Sequence, residues 1–296
     1  MVRVSLVHGE NRKENIKNAI GLLSKEIKAT LENKDIILIK PNFVSTKIEL
    51  AATNKDAVNG FLEFLKENDL LRNRKIIIAE GAALGETEDG FKNFGYYDLK
   101  KDYEIEFLDL NKTDSYKIEI FDKNLNLIKI NCAKIMIKDL NKNIFYVSIC
   151  PPKTHDTVIV TLSIKNIIVG SLQNDKEKIH QSIKAINLTL AKIYKDYIRP
   201  DLSIIDGFVG MEGDGPVDGE PVEMKIALAG LNPIYVDSLM TYLMGIDPLR
   251  VGYLYYLGIK KDFLEDLEIV GEDLEKYKRK FKLHRTANYQ FKWRNI

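Results

Sequence analysis

At 296 residues, with 45% hydrophobic and 29% charged side chains, the chain has the composition of an ordinary globular protein, long enough for one large α/β domain or two modest ones. Lys and Arg number 44 against 43 Asp and Glu, a formal charge of +1, so no global field draws it to nucleic acid or an anionic membrane. No apolar run approaches the roughly 20 residues of a membrane-spanning helix, and the opening M-V-R-V-S-L-V-H-G-E reads as a strand rather than a charged leader, so a cytoplasmic protein is expected.

In chain order, V-R-V-S-L-V predicts a strand, residues 15–29 a helix and D-I-I-L-I-K a second strand. A helix over 56–67, the strand K-I-I-I-A, a short helix over 89–99 and the strand I-E-F-L-D follow. Continuous apolar strands separated by amphipathic helices predict a doubly wound, mostly parallel sheet in an N-terminal half. Residues 116–131 alternate apolar and polar around a central D-K-N-L, which predicts an antiparallel hairpin added to that half. The strand N-I-F-Y-V-S-I then leads into Cys150, and V-I-V-T-L-S-I reads as a strand running into Lys165. Residues 177–196 form the longest predicted helix, with His180 in its first turn. The strand D-L-S-I-I-D, a Gly-rich acidic loop, the strand V-E-M-K-I-A-L-A and two helices over 234–257 complete a second α/β half. A division near residue 140 is expected, giving an N-terminal α/β domain over 1–140 and a second over 141–296. The basic stretch K-Y-K-R-K-F-K-L-H-R at 276–285 is read as a solvated terminal helix rather than a nucleic-acid site.

Chemistry concentrates in four stretches. K-P-N-F-V places Lys40, Pro41 and Asn42 at a strand end, where open α/β sheets bind ligands and where an ammonium and an amide suit an anion. A-E-G-A-A-L-G-E places Glu80 and Gly81 at the next strand end, while no G-x-G-x-x-G or phosphate loop signals a nucleotide. The third, P-P-K-T-H-D-T-V-I-V-T-L-S-I-K-N, holds Lys153, His155, Lys165 and Asn166, followed by His180. A lysine inside an apolar run is desolvated, which pulls its pKa toward neutrality and fits it for anion binding or covalent chemistry; imidazoles suit proton transfer or metal ligation. The fourth, I-I-D-G-F-V-G-M-E-G-D-G-P-V-D-G-E-P, offers Asp206, Glu212 and Asp214 as oxygen ligands for Mg²⁺ or Ca²⁺, or one carboxylate to set against a lysine in the crevice. Cys132 and Cys150 are too few and too widely spaced for an iron-sulfur cluster and read as reduced core residues.

Taken together, K-P-N, the E-G loop with Gly95 and Tyr96, P-K-T-H with T-L-S-I-K-N-I-I-V-G, the acidic loop and V-D-S-L-M-T-Y-L-M-G-I-D-P resemble the uncharacterised family catalogued as domain of unknown function 362. Many members of that family carry an appended ferredoxin-type cluster domain, for which this sequence holds no cysteine set. The order His155, Lys165, His180 is also similar to the core of the nickel-pincer lactate racemases. That resemblance implies a proton-transfer role for His155, a cofactor tether at Lys165 and a nickel ligand at His180. The expected protein is an enzyme acting on a small anionic metabolite by racemase-like proton or hydride transfer next to a carboxylate. The alternative is a metal- or ligand-binding protein without turnover.

Overall fold

The structure, a computed structural model, describes residues 1–174 and 176–294. Strand β1 (Val2–His8) is followed by helices α1 (Arg12–Gly21) and α2 (Ser24–Leu31), β2 (Ile36–Lys40), α3 (Lys55–Glu67), β3 (Lys75–Glu80), α4 (Thr87–Asn93) and β4 (Ile105–Asp109). The hairpin β5 (Ser115–Phe121) and β6 (Leu127–Ala133) forms a separate two-stranded antiparallel sheet. Next come β7 (Ile144–Cys150), the short strands β8 (Lys153–His155) and β9 (Ile159–Thr161), α5 (Ser163–Val169) and α6 (Ile183–Asp196). The long strands β10 (Leu202–Glu212) and β11 (Glu220–Gly230), then α7 (Pro233–Leu243), α8 (Gly252–Tyr256), β12 (Leu267–Gly271) and α9 (Ala287–Gln290) complete the chain.

The main sheet runs β12-β1-β11-β10-β7-β2-β3-β4, with β8 and β9 attached beside β10. From β10 to β4 the pairings are all parallel, so the carboxyl ends of β7, β2 and β3 lie on one edge of the sheet. Successive residues of β2 enter opposite cores, Ile37 and Ile39 on one face and Leu38 on the other, as a strand covered on both sides requires. Strands from both sides of residue 140 share this sheet, since β7 lies directly against β2 and β12 and β11 flank β1.

Four local expectations need correction. The helix over 15–29 is two helices, broken at Leu22 and Leu23 just after Gly21, the residue with the weakest helix propensity after proline. V-I-V-T-L-S-I is not one strand: β9 stops at Thr161 and the chain turns into α5. Its apolar run looked extended because Ser163 through Ile168 are all buried, and a short run buried all round carries no period to separate helix from strand. The long helix begins at Ile183, where Ser182 caps it by accepting the Ala185 N–H at 3.1 Å, so His180 precedes the helix rather than sitting in its first turn. Finally, residues 278–284 form no helix: Arg279 and Phe281 N–H groups bond the carbonyls of Leu243 and Met244 at the end of α7, and Phe281 is buried.

Candidate functional site

The floor of the site is built at the carboxyl ends of β2, β3 and β7. Lys40 is fully buried and its ammonium donates to Glu80 Oε1 at 2.6 Å, to the Pro41 carbonyl at 2.8 Å and to Asn166 Oδ1 at 3.2 Å. Burial pushes the Lys40 pKa down, against the pull of the Glu80 carboxylate. Glu80 also accepts the N–H of Gly81 at 2.8 Å and of Phe43 at 3.0 Å, so both its oxygens are used. Lys153, likewise buried, donates to Asn42 Oδ1 and to the Ala51 carbonyl, and burial lowers its pKa to about 7. Asn166 joins the two halves, accepting from Lys40 and from Asn42 at 3.1 Å while donating to Ser148 at 3.0 Å. Gly170 is required here, because a Cβ there would lie 2.3 Å from the Lys40 amine.

Above this floor lies a cleft of about 310 Å³, lined by Asn42, Glu80, Gly81, Asn166, His155, His180, Lys165 and Lys176, with Val44, Leu84, Val169, Pro216 and Val217 as its apolar wall. Lys165 projects from α5 and is only 6% exposed. No side chain or carbonyl among the described residues hydrogen-bonds its amine; burial lowers its pKa to about 8, opposed only by the more distant charge of Asp156. The rings of His155 and His180 stack at 6.2 Å between centroids and 14° between planes. Burial first, and the Lys165 charge second, push His155 down to about 3 and His180 down to about 4, so both imidazoles are neutral at physiological pH. The Thr157 N–H donates to His155 Nδ1 at 3.0 Å, which puts the proton of the neutral ring on Nε2. A proton on Nδ1 would instead be shared with Asp156 Oδ1, 2.9 Å away.

The family model described as Domain of unknown function (DUF362) matches residues 37–242, from β2 through α7. The chain belongs to this family. A relative, the Thylakoid-associated protein sll1697 of Synechocystis sp., is 23% identical over 230 residues, which are 73% of this chain and 65% of that protein. The chain thus spans just under two thirds of that relative's length. Every cleft-lining residue named above falls within the DUF362 match.

Several residues that hold the DUF362 site together were not singled out in the sequence. Asp237 of α7 is buried and accepts the N–H groups of Ser163 and Ile164, both at 3.0 Å, which fixes the start of α5 and therefore the placement of Lys165 and Asn166. Burial raises its carboxyl to about 8 despite those two bonds. Lys176 reaches the cleft from the turn after α5, donating to Asn111 and to the Gln173 carbonyl, and burial lowers its pKa to about 8. Gln290 of α9, outside the family match, accepts the Ile159 N–H at 2.6 Å and donates to the His155 carbonyl at 2.8 Å. Ile159 has a φ of 70°, a costly conformation for a β-branched residue, so Gln290 holds a strained hairpin in place beneath His155. Gln290→Ala, which leaves the Ile159 N–H and the His155 carbonyl without these partners, is expected to cost about 1–3 kcal/mol, read by urea denaturation.

The acidic loop lies elsewhere. Asp206 is mid-strand in an 11-residue β10 rather than at its end, and its carboxylate meets Arg12 at 3.1 Å. Burial nonetheless raises its pKa. Glu212 accepts the Lys282 N–H at 2.8 Å, and Asp214 accepts the Arg285 N–H at 3.2 Å and pairs with its guanidinium at 3.0 Å. None of the three lines the cleft with His180, and among the described residues no group of three or more His, Cys, Asp or Glu side chains could hold a metal ion. What the loop contributes to the cleft is Pro216 and Val217. Millimolar Mg²⁺ or Ca²⁺ is expected to leave the melting temperature unchanged, since a cation that binds only the native state would raise it.

Proposed function

We propose that this DUF362 member is a cytoplasmic enzyme that holds a small anionic metabolite in the cleft and moves a proton or hydride next to its carboxylate, in the manner of a racemase. The observation that carries this reading is Lys165, a cation almost withdrawn from water, facing the cleft with no hydrogen-bond or ion-pair partner among the described residues, beside two neutral imidazoles. A buried charge without a partner is costly, and an anionic ligand would supply the missing one. Lys176 adds a second positive charge to the cleft wall, while Glu80, the carboxylate on that wall, is neutralised by Lys40 beneath it. Lys40 and Lys153 then act on the substrate indirectly: they orient Glu80, Asn42 and Asn166, which meet the cleft. His155, with its proton on Nε2 and Nδ1 fixed by Thr157, is the proton carrier in this reading, with His180 stacked beside it. A nickel-pincer cofactor would find Lys165 as its tether and His180 as its ligand, and would supply a hydride acceptor. No helix among the described residues is long and apolar enough to cross a membrane.

Thermal-shift screening against small carboxylates and phosphates tests this reading, together with exchange of the carbon-bound proton of a bound carboxylate into deuterated water. Binding of carboxylates and exchange that disappears in His155→Asn would support the enzyme. Binding without exchange would favour a ligand-binding protein without turnover, and no shift with any anion would remove the reading.

A further inference from the structure

Lys165 serves the reading above as a cation, but its surroundings also suit it to act as an amine. The other buried lysines of the site are tied down: Lys40 by three acceptors and Lys153 by two. Lys165 has none among the described residues, and it lines the cleft. An amine bound to no acceptor has its lone pair free for a carbon centre as soon as it gives up a proton. With a pKa of about 8, about a tenth of it is already free amine at neutral pH.

We propose that Lys165 is a nucleophile that forms an imine with a small 2-oxo acid whose carboxylate is held by Lys176. The proposal rests on the anionic-substrate reading and names the substrate class for it. Lys176 donates to Asn111 and Gln173, which leaves its third N–H for a ligand in the cleft it lines. The apolar wall of Val44, Leu84, Val169, Pro216 and Val217 suits a short alkyl chain.

In the first step the Lys165 lone pair forms the nitrogen–carbon bond, the carbonyl π pair moves to oxygen, and one proton passes from the nitrogen to that oxygen, giving a neutral amino alcohol. In the second, the hydroxyl gains a second proton and the restored nitrogen lone pair expels it as water, after which the nitrogen gives up its remaining proton, so that amine and carbonyl give imine and water with no net change in protons and no oxidant or reductant. The stacked imidazoles of His155 and His180, which line the same cleft as Lys165, are the groups placed to pass these protons.

The test is borohydride trapping on the full chain with pyruvate, followed by intact mass measurement and peptide mapping. The expected result is one reduced adduct per chain, on Lys165, absent in Lys165→Arg, which keeps the charge but cannot form the imine. Lys176→Gln should retain the adduct but need roughly tenfold more pyruvate for half-labelling. Circular dichroism of both variants checks that they fold. Absence of an adduct on the wild type, or labelling spread over exposed lysines and unchanged in Lys165→Arg, overturns the proposal. Lactate, which has the carboxylate but no carbonyl, separates the two levels: a thermal shift with lactate and no pyruvate adduct refutes the imine and leaves the anion-binding reading standing. No shift and no adduct refutes both.

Discussion

Lys165→Met should lose carboxylate binding by about 30-fold or more, the range for removing one partner of a desolvated charge pair, and should be more stable than the wild type. The second effect follows from the depressed pKa. Below about 8 both folded and unfolded chains carry the Lys165 proton, and the folded chain bears the full penalty of a buried charge without a partner. Between about 8 and 10.5 the folded chain has lost that proton while the unfolded chain still binds it, so native stability rises with pH and the penalty is relieved. The stability advantage of the methionine variant should therefore be about 3 kcal/mol at neutral pH and shrink toward zero as pH approaches 10.5. Denaturation of both proteins across that range reads it directly. A methionine variant that is less stable than the wild type at neutral pH would mean that the lysine is held by the protein rather than kept for a ligand.

Glu80→Ala is expected to be the most damaging single change to stability. It leaves the Lys40 ammonium, with no exposure at all, facing only a carbonyl and an amide oxygen, and it also removes the acceptor for the N–H groups of Phe43 and Gly81. Breaking a buried ion pair from one side costs about 3–5 kcal/mol. For a chain of this size that lowers the melting temperature on the order of 10 °C. The double variant Lys40→Met with Glu80→Gln should recover most of the loss, because it removes the stranded charge and keeps an amide oxygen near the same backbone donors. If the single and double variants melt together, the pair is not what the floor depends on.

How much of this was legible differs residue by residue. Lys40, Asn42 and Glu80 were readable because they end apolar strands, and parallel strands bring their carboxyl ends to one edge whatever their distance along the chain. Lys165 and His180 were picked by residue type, with the wrong local structure assigned: one is on a helix read as a strand, the other in a turn read as a helix. The physical reason is that complete burial erases periodicity around Lys165, and that the helix start depends on the Ser182 cap rather than on the apolar stripe. Asp206 closes the segment D-L-S-I-I-D that the sequence marks as a strand, whereas pairing with β11 carries β10 six residues further and leaves Asp206 mid-strand. Gln290 left no local signal, and Asp237 stands in the motif V-D-S-L-M-T-Y-L-M-G-I-D-P, where nothing nearby in the sequence shows what its carboxyl holds. Each acts by satisfying backbone groups more than 70 positions away, a relation only the fold creates. Lys176 sits in K-E-K, which reads as an ordinary solvated face.

The most direct test of the cleft's role is the pKa of the Lys165 amine, followed by ¹⁵N NMR with and without a small carboxylate such as lactate. The account predicts a value near 8 in the free protein, rising once the anion is added, because an opposite charge beside the buried amine favours its protonated form. A value near 10.5 that does not respond to any small carboxylate would contradict it.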